Sequence, residues 1–285
     1  MPQKKDVSRE QRNELLAERC HLVVKSNDLI QKARFSLTLQ EQKIILYLIS
    51  KIKPDDEDFI HQVFSVVEFC KVCGIDYDSG GNYKAVKDTI RALSDKSVWL
   101  TLETGTETLV RWINKAWINK MSGIVKLRLD DDMRPYLLQL KQRFTQYELL
   151  YTLAMRSQYS IRLYELLKSY EYKRNWTFDV DELKRLLSAE TYKLFGDFKR
   201  KVLDISMREI NELSDITASY ETIRVGHKYG KVKFSVKIKK DMNDRLKTWA
   251  LIDGVIDPEQ TSLFEMIYGE SQRNTEKGNE GALHK

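Results

Sequence analysis

The stretch Asp197–Leu213, DFKRKVLDISMREINEL, decides the fold. On a wheel of about 3.6 residues per turn, Phe198, Val202, Ile210 and Leu213 fall on one side. Arg200, Lys201, Asp204, Arg208 and Asn211 fall on the other, so the stretch predicts an amphipathic helix with a mainly cationic outer face. Asp197 is placed to cap its N-terminus by accepting from the first free backbone N–H groups, and Gly196 permits a sharp entry. Further on, Lys231–Lys239 reads KVKFSVKIK, a strict alternation that predicts a strand of a β-hairpin with one buried and one basic face. A basic helix followed by a basic hairpin is the order of parts in a winged helix-turn-helix, whose second helix enters the major groove while the hairpin rides the backbone. DNA binding is the expectation that follows.

The charge distribution points the same way. Between Lys193 and Lys240 there are twelve Lys or Arg against six Asp or Glu, a surplus of six that equals the net charge of the whole chain. Positive charge concentrated in one region is the electrostatic footprint of a nucleic-acid surface, whereas a solvated ordinary helix and hairpin is the bland alternative.

Working outward toward the N-terminus, Thr38 with Glu41 and Ser65 with Glu68 form capping-box patterns ahead of apolar runs. A third helix is expected from Asn82 to Lys96, with Val86, Ile90 and Leu93 facing inward and Lys84, Lys87 and Arg91 sharing an outer stripe. Strand-like segments follow at Val98–Leu102, Thr108–Ile113 and Ile124–Leu129. Beyond an acidic junction at Asp130–Pro135, helices are expected at Tyr136–Lys141, Gln146–Arg156, Ser160–Tyr170 and Val180–Leu187, the last capped by Asp179 and Glu182.

The two halves repeat. Ile44, Leu46, Tyr47 and Lys51 recur 117 residues later as Ile161, Leu163, Tyr164 and Lys168. Phe64-Ser65-Val66 with Glu68 recurs 114 residues on as Phe178-Asp179-Val180 with Glu182, and Val86, Ile90 and Leu93 correspond to Leu203, Met207 and Ile210 at 117. The pattern predicts a duplicated unit of helix, strand, helix, helix and hairpin. The cations on Lys84, Lys87 and Arg91 therefore mark a second candidate recognition helix, and one chain carries two reading heads suited to successive major grooves.

Three fragments, VVKSNDLIQKA from Val23, IRLYELLKSY from Ile161 and FGDFKRKVLDISMREINEL from Phe195, make the chain resemble the initiator replication proteins of theta-replicating, iteron-bearing plasmids. The resemblance covers about Val23 to Lys240. It implies an α+β fold of two tandem winged-helix domains with pseudo-twofold symmetry. It also implies monomeric binding to repeated origin sequences (iterons), opening of adjacent AT-rich duplex and recruitment of host replication proteins. A dimer joined through the N-terminal half would repress the protein's own promoter. The expected layout is an N-terminal helix over residues 1–22, winged-helix domains over 23–133 and 134–240, and a C-terminal helix (Met242–Leu251) with a disordered tail over 241–285.

Base reading needs side chains that reach base edges, Arg to guanine being the commonest pairing, while phosphate contacts set register. Arg200 and Arg208 are the candidates for base contacts. Lys193, Lys199 and Lys201 suit phosphates near a helix N-terminus, and Asp204 is expected to pair with Arg208 one turn on. His227, Lys228 and Lys231 are placed at the hairpin tip, and Asn82, Tyr83, Lys84, Lys87 and Arg91 play the matching part in the first half.

Other function classes find little support. There is no G-x-x-x-x-G-K-[ST] phosphate loop, and His21, His61, His227 and His284 are scattered, so no catalysis and no cofactor are expected. Cys20, Cys70 and Cys73 form no even disulfide framework, and the lone C-x-x-C reads as two half-buried helical cysteines. No apolar run approaches the roughly 18 residues of a membrane span, and the start of the chain lacks the apolar centre of a signal peptide, so a cytoplasmic location is expected. A winged-helix transcriptional repressor without initiator activity is the alternative, and a module whose basic face binds acidic protein partners is a third reading.

Overall fold

The computed structural model describes residues 14–15, 17–53, 56–74, 81–101, 104–239, 248, 250 and 252. Within them one unit occurs twice. The first copy runs β1 (Leu22–Ser26), α1 (Asn27–Gln31), α2 (Leu39–Ser50), β2 (Gln62–Ser65), α3 (Val66–Val72) and α4 (Gly81–Ser94). Two hairpins complete it, β3 (Ser97–Thr101) with β4 (Glu107–Arg111) and β5 (Ile113–Ile118) with β6 (Ile124–Leu129). After the short α5 (Arg134–Leu137) the second copy runs β7 (Phe144–Glu148), α6 (Leu150–Leu153), α7 (Gln158–Ser169), β8 (Asn175–Asp179) and α8 (Val180–Leu186). Its long helix α9 is continuous through Phe195–Phe198, Lys199–Leu203 and Asp204–Leu213, and the hairpin β9 (Ile216–Val225) and β10 (Lys228–Ile238) follows.

The two copies build the same sheet. Strand order is β2-β6-β5 in one and β8-β10-β9 in the other, all antiparallel, with Phe64 opposite Val125 and Phe178 opposite Val232. In each, the strand that leads into α3 or α8 pairs with the last strand of the wing hairpin, which is the arrangement of a winged helix. The β3–β4 hairpin has no counterpart among the described residues of the second copy. Register between copies is strict for β2 with α3 and β8 with α8, since Ser65 and Asp179, Val66 and Val180, Val72 and Leu186 all lie 114 apart. The match between α2 and α7 is looser. These helices begin at Leu39 and Gln158, 119 apart, so the identical residues spaced at 117 occupy positions two residues out of step.

Local chemistry sets the helix starts. Thr38 and Glu41 make the full capping box, with the Thr38 hydroxyl accepting from the Glu41 N–H and the Glu41 carboxylate accepting from the Thr38 N–H at 2.7 Å. Ser65 accepts from the Glu68 N–H at 3.0 Å, whereas Asp179 caps α8 without a side-chain bond. The helix α9 begins three residues earlier than expected, with Leu194 and not Asp197 at its N-cap, so Asp197 sits inside the first turn. Gln146–Arg156 is not one helix. FTQYE forms β7 because Thr145 and Tyr147 face inward and β1 offers an unpaired edge, and only the four residues of α6 are helical. Likewise Tyr136–Lys141 reduces to the end of α5. The expected C-terminal helix and tail lie outside the described residues, apart from Thr248, Ala250 and Ile252, all buried.

The pairing of β1 with β7 ties the two copies together, and beneath it lies a buried ionic node. Glu165 accepts from the Lys25 ammonium at 2.6 Å and from the Tyr147 hydroxyl at 2.5 Å, and the Arg162 guanidinium lies 3.7 Å from its other oxygen. Burial alone would raise the Glu165 carboxyl, but Lys25 and Arg162 overcome this and hold it below its ordinary value. Arg162 also donates across the boundary to the backbone oxygens of Ile30 (2.7 Å) and Ala33 (3.1 Å). Lys43 to Leu153 O, Gln42 to Gln158 O and Ser188 to Phe35 O add further crossings.

Removing the central carboxylate leaves two buried cations facing each other. Glu165→Gln is therefore expected to lower stability by about 3–5 kcal/mol, read as a drop in the urea midpoint. Because the folded pKa of Glu165 is depressed, its contribution is complete above the ordinary carboxylate range and is lost as pH falls through the lowered value. In wild type the midpoint should decline on acidification through that window, and in the variant this part of the decline should be missing.

Candidate nucleic-acid interface

Helix α9 buries Phe198, Val202, Leu203, Met207, Ile210 and Leu213 and presents Lys199, Arg200, Lys201 and Arg208 to solvent. The side chains of Lys199, Arg200 and Lys201 are 47%, 72% and 53% exposed. Glu209, on the same helix, is turned inward. Its carboxylate accepts from the backbone N–H groups of Arg156 (3.3 Å) and Ser157 (3.2 Å), capping α7 and fixing the angle between the two helices.

The two aspartates of the helix are also engaged. Asp197 accepts from Arg200 at 2.9 Å. Asp204 pairs with Lys199, at 2.9 and 3.0 Å from its two oxygens, and accepts from the Tyr220 hydroxyl on β9, rather than pairing with Arg208. The hydrogen bond to Asp204 raises the Lys199 ammonium above its ordinary value. Asp204 is pushed up by partial burial, yet Tyr220 and Lys199 bring it below its own. Arg208 is thereby left projecting to solvent, its expected carboxylate turned to other partners. Asn211, expected on the outer face, is instead a clamp: its amide donates to Ala218 O at 2.9 Å and accepts from Ala218 N at 2.6 Å, bolting the helix to β9.

The wing turns back at Gly226-His227, where Gly226 takes φ +64 and Lys228 pairs with Val225. Tyr229 stacks on Phe195 at 4.7 Å between ring centroids, and the Arg224 guanidinium lies over its ring at 5.0 Å. The hairpin tip is thus anchored to the first turn of α9, and His227 and Lys228 project beside it. Lys231 lies 3.9 Å from Asp179 at the start of α8, and Lys193 is exposed in the loop before α9. The Phe195–Tyr229 stack sets the basic wing tip beside the first turn of the basic helix.

In the first copy Lys84, Lys87 and Arg91 are exposed on α4 and Tyr83 is half-buried, while the Asn82 side chain lies outside the described residues. Sequence reading placed one strand of this copy's wing, Ile124–Leu129, but missed the wing's basic residues. Lys115 and Lys126 flank Trp117 at 4.8 and 5.2 Å from its ring, with Lys120 exposed at the tip. The tip is a tight turn in which Asn119 accepts from Met121 N and Ser122 N and Gly123 takes φ +66. Lysines spaced around an Asn-to-Gly turn were the available signal. Arg224 and Tyr229 of the second wing were missed as well.

Among the described residues no three His, Cys, Asp or Glu side chains come together as a metal site, and no helix is long and apolar enough to cross a membrane. Burial pushes the Cys70 and Cys73 thiols up to about 11 and about 12, so both stay neutral near pH 7.

Two linked copies of one unit, each with a basic helix and a basic hairpin, define a tandem winged-helix protein. The chain belongs to the initiator replication protein family: the model of "Initiator Replication protein, WH1" matches residues 22–168 and that of "Initiator Rep protein, WH2" matches residues 179–236. A replication initiation protein of Escherichia coli is 27% identical over 207 residues, covering 68% of this chain and 63% of the relative, so the chain spans under two thirds of that relative's length. The PI protein of Escherichia coli is 30% identical over 138 residues, covering 42% of this chain and 45% of that one. The solved Pi initiator protein in complex with iteron DNA shares the fold, with a TM-score of 0.62 at 21% identity over 78% of this chain and 99% of that one.

Asn211→Ala leaves a buried donor and acceptor of Ala218 without their partner, and is expected to lower stability by about 1–3 kcal/mol in urea denaturation.

Proposed function

We propose that this protein is a plasmid replication initiator that binds repeated origin sequences through both winged helices. Bound there, it promotes opening of the adjacent AT-rich duplex and recruits host replication proteins in the cytoplasm. As a dimer joined through its N-terminal half it represses its own promoter. The observation that carries the reading is the pair of exposed cationic helices, α4 and α9, each with its own lysine-bearing wing, in two domains linked by the buried Glu165 node. Two helices in fixed relation suit two major grooves on one duplex. Arg200 and Arg208 take the base contacts. Lys193, Lys199, Lys201, Lys228 and Lys231 with His227, and Asn82, Tyr83, Lys84, Lys87 and Arg91 in the first domain, hold the backbone and set register. Membership of the initiator replication protein family, and a solved relative of the same fold whose complex contains iteron DNA, support the assignment.

The test is a gel shift with the direct repeats beside the gene against random duplex at physiological salt, followed by supplying the protein to a non-replicating plasmid bearing those repeats. Preferential binding with replication is the expected result. Binding without replication would reduce the protein to a repressor, and equal weak binding to both duplexes would reject DNA reading altogether. With about eight phosphates neutralised, log affinity should fall against log salt with a slope near −7. Arg208→Ala should lower the preference for the repeats about tenfold to a hundredfold while leaving that slope nearly unchanged.

A further inference from the structure

Helix α9 carries one residue too many. Across Lys199–Leu203 the backbone opens into a wide turn, in which the N–H of Asp204 donates to the carbonyl of Lys199, five residues back, instead of Arg200 four back. On either side the spacing is ordinary, with the Phe198 N–H bonded to Leu194 O and that of Ser214 to Ile210 O. The corresponding helix of the first domain, α4, is a plain α-helix over all its 14 residues.

The phase of the buried residues shows what the insertion does. Leu203, Ser206, Met207, Ile210 and Leu213 follow the three- and four-residue steps of an α-helix. Continued backward without interruption, those steps would centre Lys199 on the core, four residues before Leu203. The wide turn instead puts Phe198, five residues before Leu203 and fully buried, into that slot and releases Lys199 to solvent. The same shift acts on the outward stripe. Two α-turns are about seven residues, so an unbroken helix would set Lys201 above Arg208. With the extra residue, Arg200 takes that place, and its side chain is the most exposed of the three consecutive cations.

We propose that the wide turn is a specificity device: it selects Arg200, in place of Lys201, as the side chain aligned with Arg208 for base reading. Wide turns of this kind in α-helices are frequent at functional sites. This inference rests on the DNA-binding reading of α9 and deepens it, because it gives the backbone feature that brings Arg200, and not Lys201, into line with Arg208.

Two single-residue deletions separate the possibilities, each removing one lysine and each returning α9 to an uninterrupted α-helix with Phe198 in the core. Deleting Lys201 keeps Arg200 aligned with Arg208, so the ratio of affinities for origin repeat and random duplex should stay within about threefold of wild type. Deleting Lys199 moves Arg200 aside and brings Lys201 into line, so that ratio should fall at least tenfold while affinity for random duplex matches that of Lys199→Ala. Equal ratios for the two deletions overturn the proposal. If either deletion fails to melt cooperatively, the length-preserving pair Arg200→Ala and Lys201→Ala decides the matter instead: the first should lose at least tenfold in preference and the second less than threefold, and equal losses overturn it. A wild-type protein with no preference for the repeats would instead remove the reading beneath it.

Discussion

A single buried carboxylate, Glu165, governs what the rest of this molecule can be. It sits on the central helix of the second domain, yet its strongest partner, Lys25, comes from the first strand of the other domain, 140 positions earlier. A charge in a dry interior is tolerated only with its partners in place. The two domains are therefore joined by a requirement, met only when β1 lies against β7 and the Arg162 fork reaches the carbonyls of Ile30 and Ala33. An apolar seam could slide, whereas this one has a register. That is why the two winged-helix units meet in one defined register.

Within the second domain a similar economy holds. Three acidic residues interspersed with the cations of α9 are used internally: Glu209 caps α7, Asp204 anchors Lys199 and Tyr220, and Asp197 braces Arg200. A helix meant to meet phosphate would be expected to shed carboxylates, since like charge repels. Here they orient the cations and lock the helix to its surroundings, and the outward field remains positive.

Much of this was legible in the sequence. The capping box at Thr38, the serine cap at Ser65, the apolar stripe of α9 and the alternation of β10 are local patterns, and local patterns survive in one dimension. The tandem arrangement showed in the 114-residue spacing of Phe64 and Phe178, which structure keeps, and in a 117-residue spacing within α2 and α7, which it does not. The misses share one cause. FTQYELLYTL carries both periodicities, and a partner strand more than 100 residues away chose between them. Asp204 turned to Tyr220 on β9 instead of Arg208, and Asn211 to Ala218, because the hairpin folds back over the helix. The wide turn in α9 was hinted at by Lys199 occupying a core phase, a conflict that reads as noise until the backbone is seen.

The two domains are copies, but not equals. Between the matched pairs Ile118/Val125 and Thr222/Val232 the second wing is three residues longer, and among the described residues only the first domain carries the additional β3–β4 hairpin. An object with such unlike ends has a heading. Turned end for end on a double helix, it would meet a palindrome differently at each half, so the duplex target proposed above would have polarity. Successive copies of that target laid in one direction would line up successive molecules in single file.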